Sequence, residues 1–385
     1  MPLKVAYLSQ GRLYVKNGDL ATQEITCQFG QEMIDRAERQ FREGEWKRQG
    51  QGEMFNAFWN ETQDPQNIRV QITAVTAGAA ADELMFALSA NDIGGLFTYT
   101  LQDNTERRLL HKQDFRIRDL VRHPERDDLV ACSHYLQNGS ASIGLMRKYN
   151  VMHVTEGDSI DEAPSWIPNS QRQLVFQSAG LGRGNGGYVM ALAPFVIQKL
   201  DLDRSNMETL KEDADYDFLL PRMDKRGNLY FIRRPYVGVG RPTGFNQRLN
   251  DIVLFPVRLL RTLYDYLNFQ SLIYSRKPLG TAGGPQNEGP DARTLYLRGR
   301  RIDVEKALKQ AKRKDDTPAL VPKTWELVRR SELGEETVIA KHVAAFDVNA
   351  EGEIVYTNGT ALYQVQGSQA NLIAKGQLID SVFLL

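Results

Sequence analysis

One short pattern recurs along this chain and limits its fold more than any other feature. An apolar strand runs into a turn built from Asp, Asn, Pro or Gly, and a second apolar strand follows. The clearest copy runs from Pro164 to Phe176 (PSWIPNSQRQLVF); others run from Pro221 to Phe231 (PRMDKRGNLYF) and from Phe346 to Tyr356 (FDVNAEGEIVY). Weaker copies run from Leu120 to Ala131 and from Ile72 to Phe86. Strand-turn-strand units repeating at roughly forty to sixty residues are the signature of a β-propeller. Such a ring fixes an architecture and leaves the function to what the ring carries.

The two ends of the chain resemble each other. Lys4–Val15 reads KVAYLSQGRLYV and Glu353–Tyr363 reads EIVYTNGTALY. Both suit the second and third strands of a blade, so the first blade lacks an innermost strand. Leu378–Leu385 can supply it, which closes the ring and removes an exposed edge. The expected fold is therefore all-β, a six-bladed β-propeller closed by the C-terminal strand and forming one domain over 1–385. Blade one joins 378–385 to 4–28. Blades two, three and four occupy 67–111, 115–155 and 160–212. Blade five is split between 215–234 and 324–341, and blade six spans 343–375.

Two stretches fall outside the repeat and read as mainly helical insertions. Residues 29–66, between blades one and two, carry a charged helical pattern from Glu32 to Phe41 built of good helix formers, then a polar linker, then Met54, Phe55, Phe58 and Trp59. Residues 235–324, within blade five, open on a Gly/Pro loop. A helix is expected from Pro256, which suits a first turn, to Tyr274. A Gly/Pro-rich loop over 280–290 and a short basic helix, Val304–Lys314, follow. By strand order both insertions, and the loop expected at Ala179–Gly187, emerge on one face of the ring. Loops on a rigid scaffold are where function concentrates.

Composition removes several classes. Lys plus Arg and Asp plus Glu both number 48 in 385 residues, so the net charge is zero and nucleic acid is a disfavoured partner. The two cysteines cannot build a disulfide framework. The start of the chain reads as strand rather than as a charged-then-apolar leader, and no 18-residue apolar run occurs. The expectation is a cytoplasmic protein without a transmembrane segment.

Local motifs for chemistry are weak. Gly182–Gly187 formally matches GxGxxG, but a strand pattern follows it where a dinucleotide site needs a helix. His111, His123, His134, His153 and His342 show no zinc spacing, and no serine sits in GxSxG. No catalytic residue, cofactor or metal ligand is assigned.

The residues Pro164–Phe176, Pro221–Phe231 and Asn349–Tyr356 resemble the repeat of the TolB-like and WD-type bacterial propellers. The likeness covers the chain outside its two insertions. It departs in the turn at Asn169, which has one extra residue, and in the length of the blade-five insertion. Members of that group mostly serve as interaction platforms, and others are attached to peptidases or act on carbohydrates. The resemblance thus implies a fold and leaves the activity open.

The expected function is a non-catalytic scaffold that presents the insertions to protein partners, including components of an ATPase-containing assembly. Candidate partner-binding residues are Phe55, Phe58 and Trp59 in the first insertion. In the second they are Leu259, Leu263, Tyr266 and Leu267 on one helix face, with Lys309, Lys312 and Arg313 in the basic segment. Two alternatives stand beside it. One is a hydrolase- or lyase-type enzyme with a polar site in the central channel. The other is a nucleic-acid or membrane-surface adaptor working through 298–314.

Overall fold

A computed structural model describes residues 3–48; 70–237 apart from 91–92, 148–149, 171, 185–186 and 188; 294–297; 300–303; and 317–385 apart from 368. Strands β1 (Lys4–Ser9), β2 (Arg12–Asn17) and β3 (Gln23–Ile25) precede helix α1 (Gln28–Arg48). A four-stranded meander follows: β4 (Val70–Ala77), β5 (Glu83–Ala90), β6 (Ile93–Thr100) and β7 (Thr105–Gln113). Nine strands then join in one sheet. They are β8 (Ile117–Arg122), β9 (Leu129–Tyr135), β10 (Ala141–Arg147), β11 (Asn150–His153), β12 (Ser159–Trp166), β13 (Gln173–Arg183), β14 (Val189–Leu192), β15 (Val196–Asp201) and β16 (Asn206–Lys211). This sheet is joined in its middle by a single parallel bridge, Ala141 to Ile160.

After β17 (Tyr216–Met223) and β18 (Leu229–Pro235) come a separate hairpin, β19 (Thr294–Leu297) with β20 (Arg300–Asp303), and then β21 (Glu326–Arg330) and β22 (Glu336–Lys341). The four strands β17-β18-β21-β22 form one sheet across the interruption. The last sheet is β23 (Ala345–Val348), β24 (Ile354–Thr357), β25 (Ala361–Gln366) and β26 (Gln369–Lys375). The C-terminal strand β27 (Ile379–Leu384) pairs antiparallel with β1, with Val5 opposite Leu384 and Tyr7 opposite Val382. Leading strands lie side by side in succession: β4 against β8, β8 against β12, β12 against β17, β17 against β23, and β23 against β27.

The recurring turn has a physical basis. Asp224 Oδ1 accepts from the backbone N–H groups of Arg226 and Asn228, both at 2.9 Å, and Asn349 Oδ1 accepts from those of Glu351 (3.1 Å) and Glu353 (2.9 Å). In each turn the side chain replaces backbone partners, and a glycine takes the left-handed position: Gly227 at φ 76° and Gly352 at φ 86°. The longer turn at 167–172 gives that conformation to Asn169 instead, at φ 62°. Strands after these turns bury aromatics: Phe176, then Tyr230 with Phe231, then Tyr356.

Two features differ from the sequence-based expectation. The first part of the loop expected at Ala179–Gly187 is strand: β13 continues through Arg183 and forms a hairpin with β14, Leu181 opposite Leu192. Its glycines suggested a turn, but Leu181 and Val189 are buried and hold it as a ladder. Residues 317–324, expected in the second insertion, pack into the core together with Trp325. Leu320, Val321 and Trp325 are buried, and Leu320 packs so closely on Gly359 that a Cβ there would sit 2.8 Å away.

Candidate functional site

The leading strands share a local irregularity that brings polar side chains together. The register to the second strand slips between Ile72 and Ala74 in β4, Ile117 and Leu120 in β8, Glu162 and Ser165 in β12, and Leu219 and Arg222 in β17. Such bulges free backbone groups from the ladder and bend the strand. Ala163 and Leu220 take φ values of 53° and 55° there. Two freed groups find partners in neighbouring sheets or half-sheets: Ala163 N–H donates to Asp119 Oδ2 (3.0 Å) and Leu220 N–H to Gln177 Oε1 (2.8 Å). On the closing strand, Leu384 N–H donates to Asp347 Oδ2 (2.9 Å).

The rest of the polar cluster is equally committed. Ser133 donates to Asp119 at 2.8 Å, and Ser178 to Asp161 at 2.7 Å. Glu162 accepts from Gln177 Nε2 (2.9 Å) and from Arg118 Nη1 (3.4 Å). Arg222 Nε donates to Asp347 Oδ1 at 2.7 Å. The deepest ion pair is Arg234–Asp217, 2.9 Å apart with both side chains 4% exposed; Asp217 also caps Phe195 N–H, and the Arg234 guanidinium lies 4.8 Å over the Trp325 ring. Burial pushes the Asp161 carboxyl above the usual carboxylate range, against hydrogen bonds from Thr155, Ser178 and Ser159 that pull it down. Burial likewise raises the Cys132 thiol to about 12, which makes it an inert core group. Chemically, these carboxylates act as acceptors: Asp161 bonds across its own sheet, while Asp119, Glu162, Asp217 and Asp347 reach groups of a neighbouring sheet or half-sheet. Among the described residues no group of three or more His, Cys, Asp and Glu side chains is placed to hold a metal ion.

The first insertion begins with a helix, as its composition predicts, and the helix is anchored. Glu106 on β7 accepts from the N–H groups of Gln28 (2.9 Å) and Phe29 (3.1 Å), satisfying two orphan donors of the first turn with a negative charge. Phe29 sits 5.2 Å from the Phe97 ring and 5.6 Å from His111, and Arg108 covers it at 5.2 Å. A Cβ at Gly30 would lie 2.5 Å from Val70 Cγ1, so only glycine allows this approach of helix to sheet. On the same side as the second insertion's start, Tyr236 donates its hydroxyl to Leu192 O, linking β14 to the end of β18.

All ten candidate partner-binding residues, Phe55, Phe58, Trp59, Leu259, Leu263, Tyr266, Leu267, Lys309, Lys312 and Arg313, lie outside the described residues. So do the expected helices at 256–274 and 304–314. The hairpin β19–β20, which contains Arg300 and Arg301, was not foreseen in a segment read as mainly helical. The sequence reading also missed the inter-sheet carboxylates and the Glu106 cap, because each meets a partner distant in sequence. It passed over a further contact: His134 Nδ1 lies 2.8 Å from His153 Nε2.

No family model matches the sequence, and no curated protein sequence matches it. Solved structures do. TolB from Acinetobacter baumannii superposes with a TM-score of 0.50 at 9% identity, covering 99% of this chain and 66% of TolB. A chain of the nidogen/laminin complex also gives 0.50, at 5% identity and with 99% and 97% coverage. The chain resembles TolB at the level of its fold, and that fold is a β-propeller. A putative 6-phosphogluconolactonase from Bacteroides fragilis reaches a TM-score of 0.44 at 8% identity, a level from which nothing about activity transfers. No helix among the described residues is long and apolar enough to cross a membrane.

Proposed function

We propose that this protein is a non-catalytic interaction scaffold: a six-bladed propeller, closed by β27, whose two insertions leave one face and engage partner proteins of a multi-component assembly. The observation that carries the reading is the commitment of the inner-strand carboxylates. Asp119, Asp161, Glu162, Asp217 and Asp347 each hold a donor. A general acid or base needs a carboxyl free to meet substrate. The division of the nine-stranded sheet at its single bridge supports the count of six units. The longest interruptions of the sheets follow β3 and β18, connections that open on the same face of a propeller. A ring ordered in advance loses little entropy on binding, so affinity is spent on the insertions. We place it in the cytoplasm, with components of an ATPase-containing complex as the partner class.

The second reading is a channel enzyme, and the raised Asp161 carboxyl is the observation that favours it. Affinity capture from the native host separates the two. The full chain is compared with a variant in which 239–315 is replaced by a flexible linker of about fifteen residues. A scaffold recovers specific partners only with the full chain. If both forms are folded and neither recovers a partner, the scaffold reading fails and Asp161 becomes the first target.

A further inference from the structure

His134 and His153 stand on β9 and β11, which are not neighbours: β10 lies between them, with His134 opposite Ser142 and His153 opposite Gly144. Alternate strands are roughly 10 Å apart, so the rings meet only by folding over the middle strand. Gly144 makes the room. A Cβ there would lie 2.5 Å from Val151 Cγ1, 3.2 Å from Cys132 Sγ and 3.8 Å from His153 Cδ2. The result is a cross-strand contact of 2.8 Å between His134 Nδ1 and His153 Nε2, under the Phe115 ring at 6.3 Å from His134.

Such a contact requires one nitrogen to donate and the other to accept. With no proton added, or one, that condition is met. With two, both nitrogens carry hydrogen and both rings carry charge. The surroundings do not compensate. Lys112 and Arg116, from β7 and the turn before β8, are cationic, and the Asp114 carboxylate is already engaged by Arg116 (3.3 Å) and Gln137 (2.9 Å). Burial, His153, Lys112 and Arg116 push the His134 pKa down, and only the Asp114 backbone favours its charged form.

We propose that the His134–His153 pair is a proton-operated latch on the outer strand β11, closed while the pair holds at most one extra proton and opened by the second. The strand is suited to release. It is only four residues long and pairs on one side. The chain that follows it is bound through Val154 N–H to Ile143 O (2.8 Å) and through Thr155 Oγ1, which accepts from Ile143 N–H (2.9 Å). It then reaches Asp158, which accepts from Arg183 Nε at 2.6 Å, while Arg183 Nη1 donates to Asn138 O (3.1 Å) and Gly187 O (3.0 Å). Opening the latch therefore loosens the segment that holds the β13–β14 hairpin, and acid reshapes that side of the ring.

The sign follows from linkage. A histidine whose pKa is lower in the folded state contributes stability that is complete above its unfolded pKa of about 6.5 and is lost as pH falls below it. The test is thermal and urea unfolding of the full chain from pH 8 to 5, for wild type, His134→Gln, His153→Gln and, as a control outside the pair, His111→Gln. Wild type and His111→Gln should lose up to about tenfold in folding constant per pH unit below 6.5; His134→Gln should not, and His153→Gln should lose less than wild type, because burial still acts on His134. Imidazole NMR on wild type needs no variant and should show two coupled titration steps, the second displaced to acid, with β11 amides losing exchange protection across it. Parallel pH curves for all four proteins overturn the latch, as do two independent imidazole titrations near 6.5. Stabilisation of wild type by Zn²⁺ at pH 7.5, reversed by chelation, overturns it in favour of a metal site.

Discussion

The β4–β7 sheet and the β17-β18-β21-β22 sheet have the same four-stranded antiparallel plan, yet they hold it by different means. In the first, consecutive strands follow one another after short turns, and the contact is apolar: Phe86 and Phe97 stack at 5.4 Å, and Phe29 of α1 closes over Phe97. In the second, β18 and β21 are separated by residues 236–325, yet they pair in register from Leu229–Arg330 to Arg233–Glu326. Charges mark that register. Arg233 meets Glu326 (2.8 Å) and Glu336 (3.4 Å), Lys341 meets Glu326 (3.6 Å), and Lys211 of β16 meets Glu336 (2.7 Å). Closing a loop of about ninety residues instead of a hairpin of two costs roughly 3 kcal/mol more in chain entropy. Exposed ion pairs give little energy, but a slip of two residues would leave Arg233 opposite Val328 or Thr324 and lose the pairing with Glu326. The lesson is that local sequence specifies the first sheet, and long-range polar pairing specifies the second.

Substitutions can break this comparison. The largest effects are expected in the two cores. Asp217→Ala strands the buried Arg234 and should cost about 3–5 kcal/mol in urea unfolding. Phe97→Ala should cost a similar amount, about 3–5 kcal/mol, through a cavity. The double variant Asp217→Leu with Arg234→Met separates the mechanisms: it should recover the part of the loss due to the unpaired charge, while Phe195 N–H stays without its acceptor. If the double variant is as unstable as the single one, the pair does more than neutralise itself. A middle effect belongs to Glu106→Ala, which removes the anionic cap of α1. About 1 kcal/mol is expected, read as faster proteolysis and amide exchange in 28–48 with the ring's own midpoint little changed.

The smallest effect sharpens the contrast from a strand outside both sheets. Burial raises the folded-state pKa of Asp161, so its ionisation costs stability as pH rises above the ordinary carboxylate value of about 4. Asp161→Asn should therefore be neutral or slightly stabilising at pH 7, and should flatten the pH dependence of stability between 4 and 7. A clear loss at pH 7 would mean that the charge itself is used.

The repeat was legible because each turn needs an Asp or Asn and a left-handed residue, as at Asp224 with Gly227 and Asn349 with Gly352, and those residue types stand out in sequence. The closing strand was legible from the likeness of the two chain ends, and α1 from its run of helix formers. What escaped was anything joining distant positions: Asp119 with Ala163, Arg222 with Asp347, His134 with His153. Glycines misled at 179–183, where the chain is held as a ladder with Leu181 and the facing Val189 buried. In the histidine pair, Gly144 between two His-bearing strands was the available signal.

A scaffold of this kind requires a ring whose register does not depend on its longest insertion. Urea unfolding of the variant lacking 239–315, beside the full chain, tests this most directly. Shortening the loop to about thirty residues should leave one cooperative transition and raise stability by about 1 kcal/mol, with the β-sheet circular dichroism of the ring retained. A variant that loses that signal, or unfolds without cooperativity, would show that the insertion builds the ring it interrupts and would contradict the division into scaffold and binding arm.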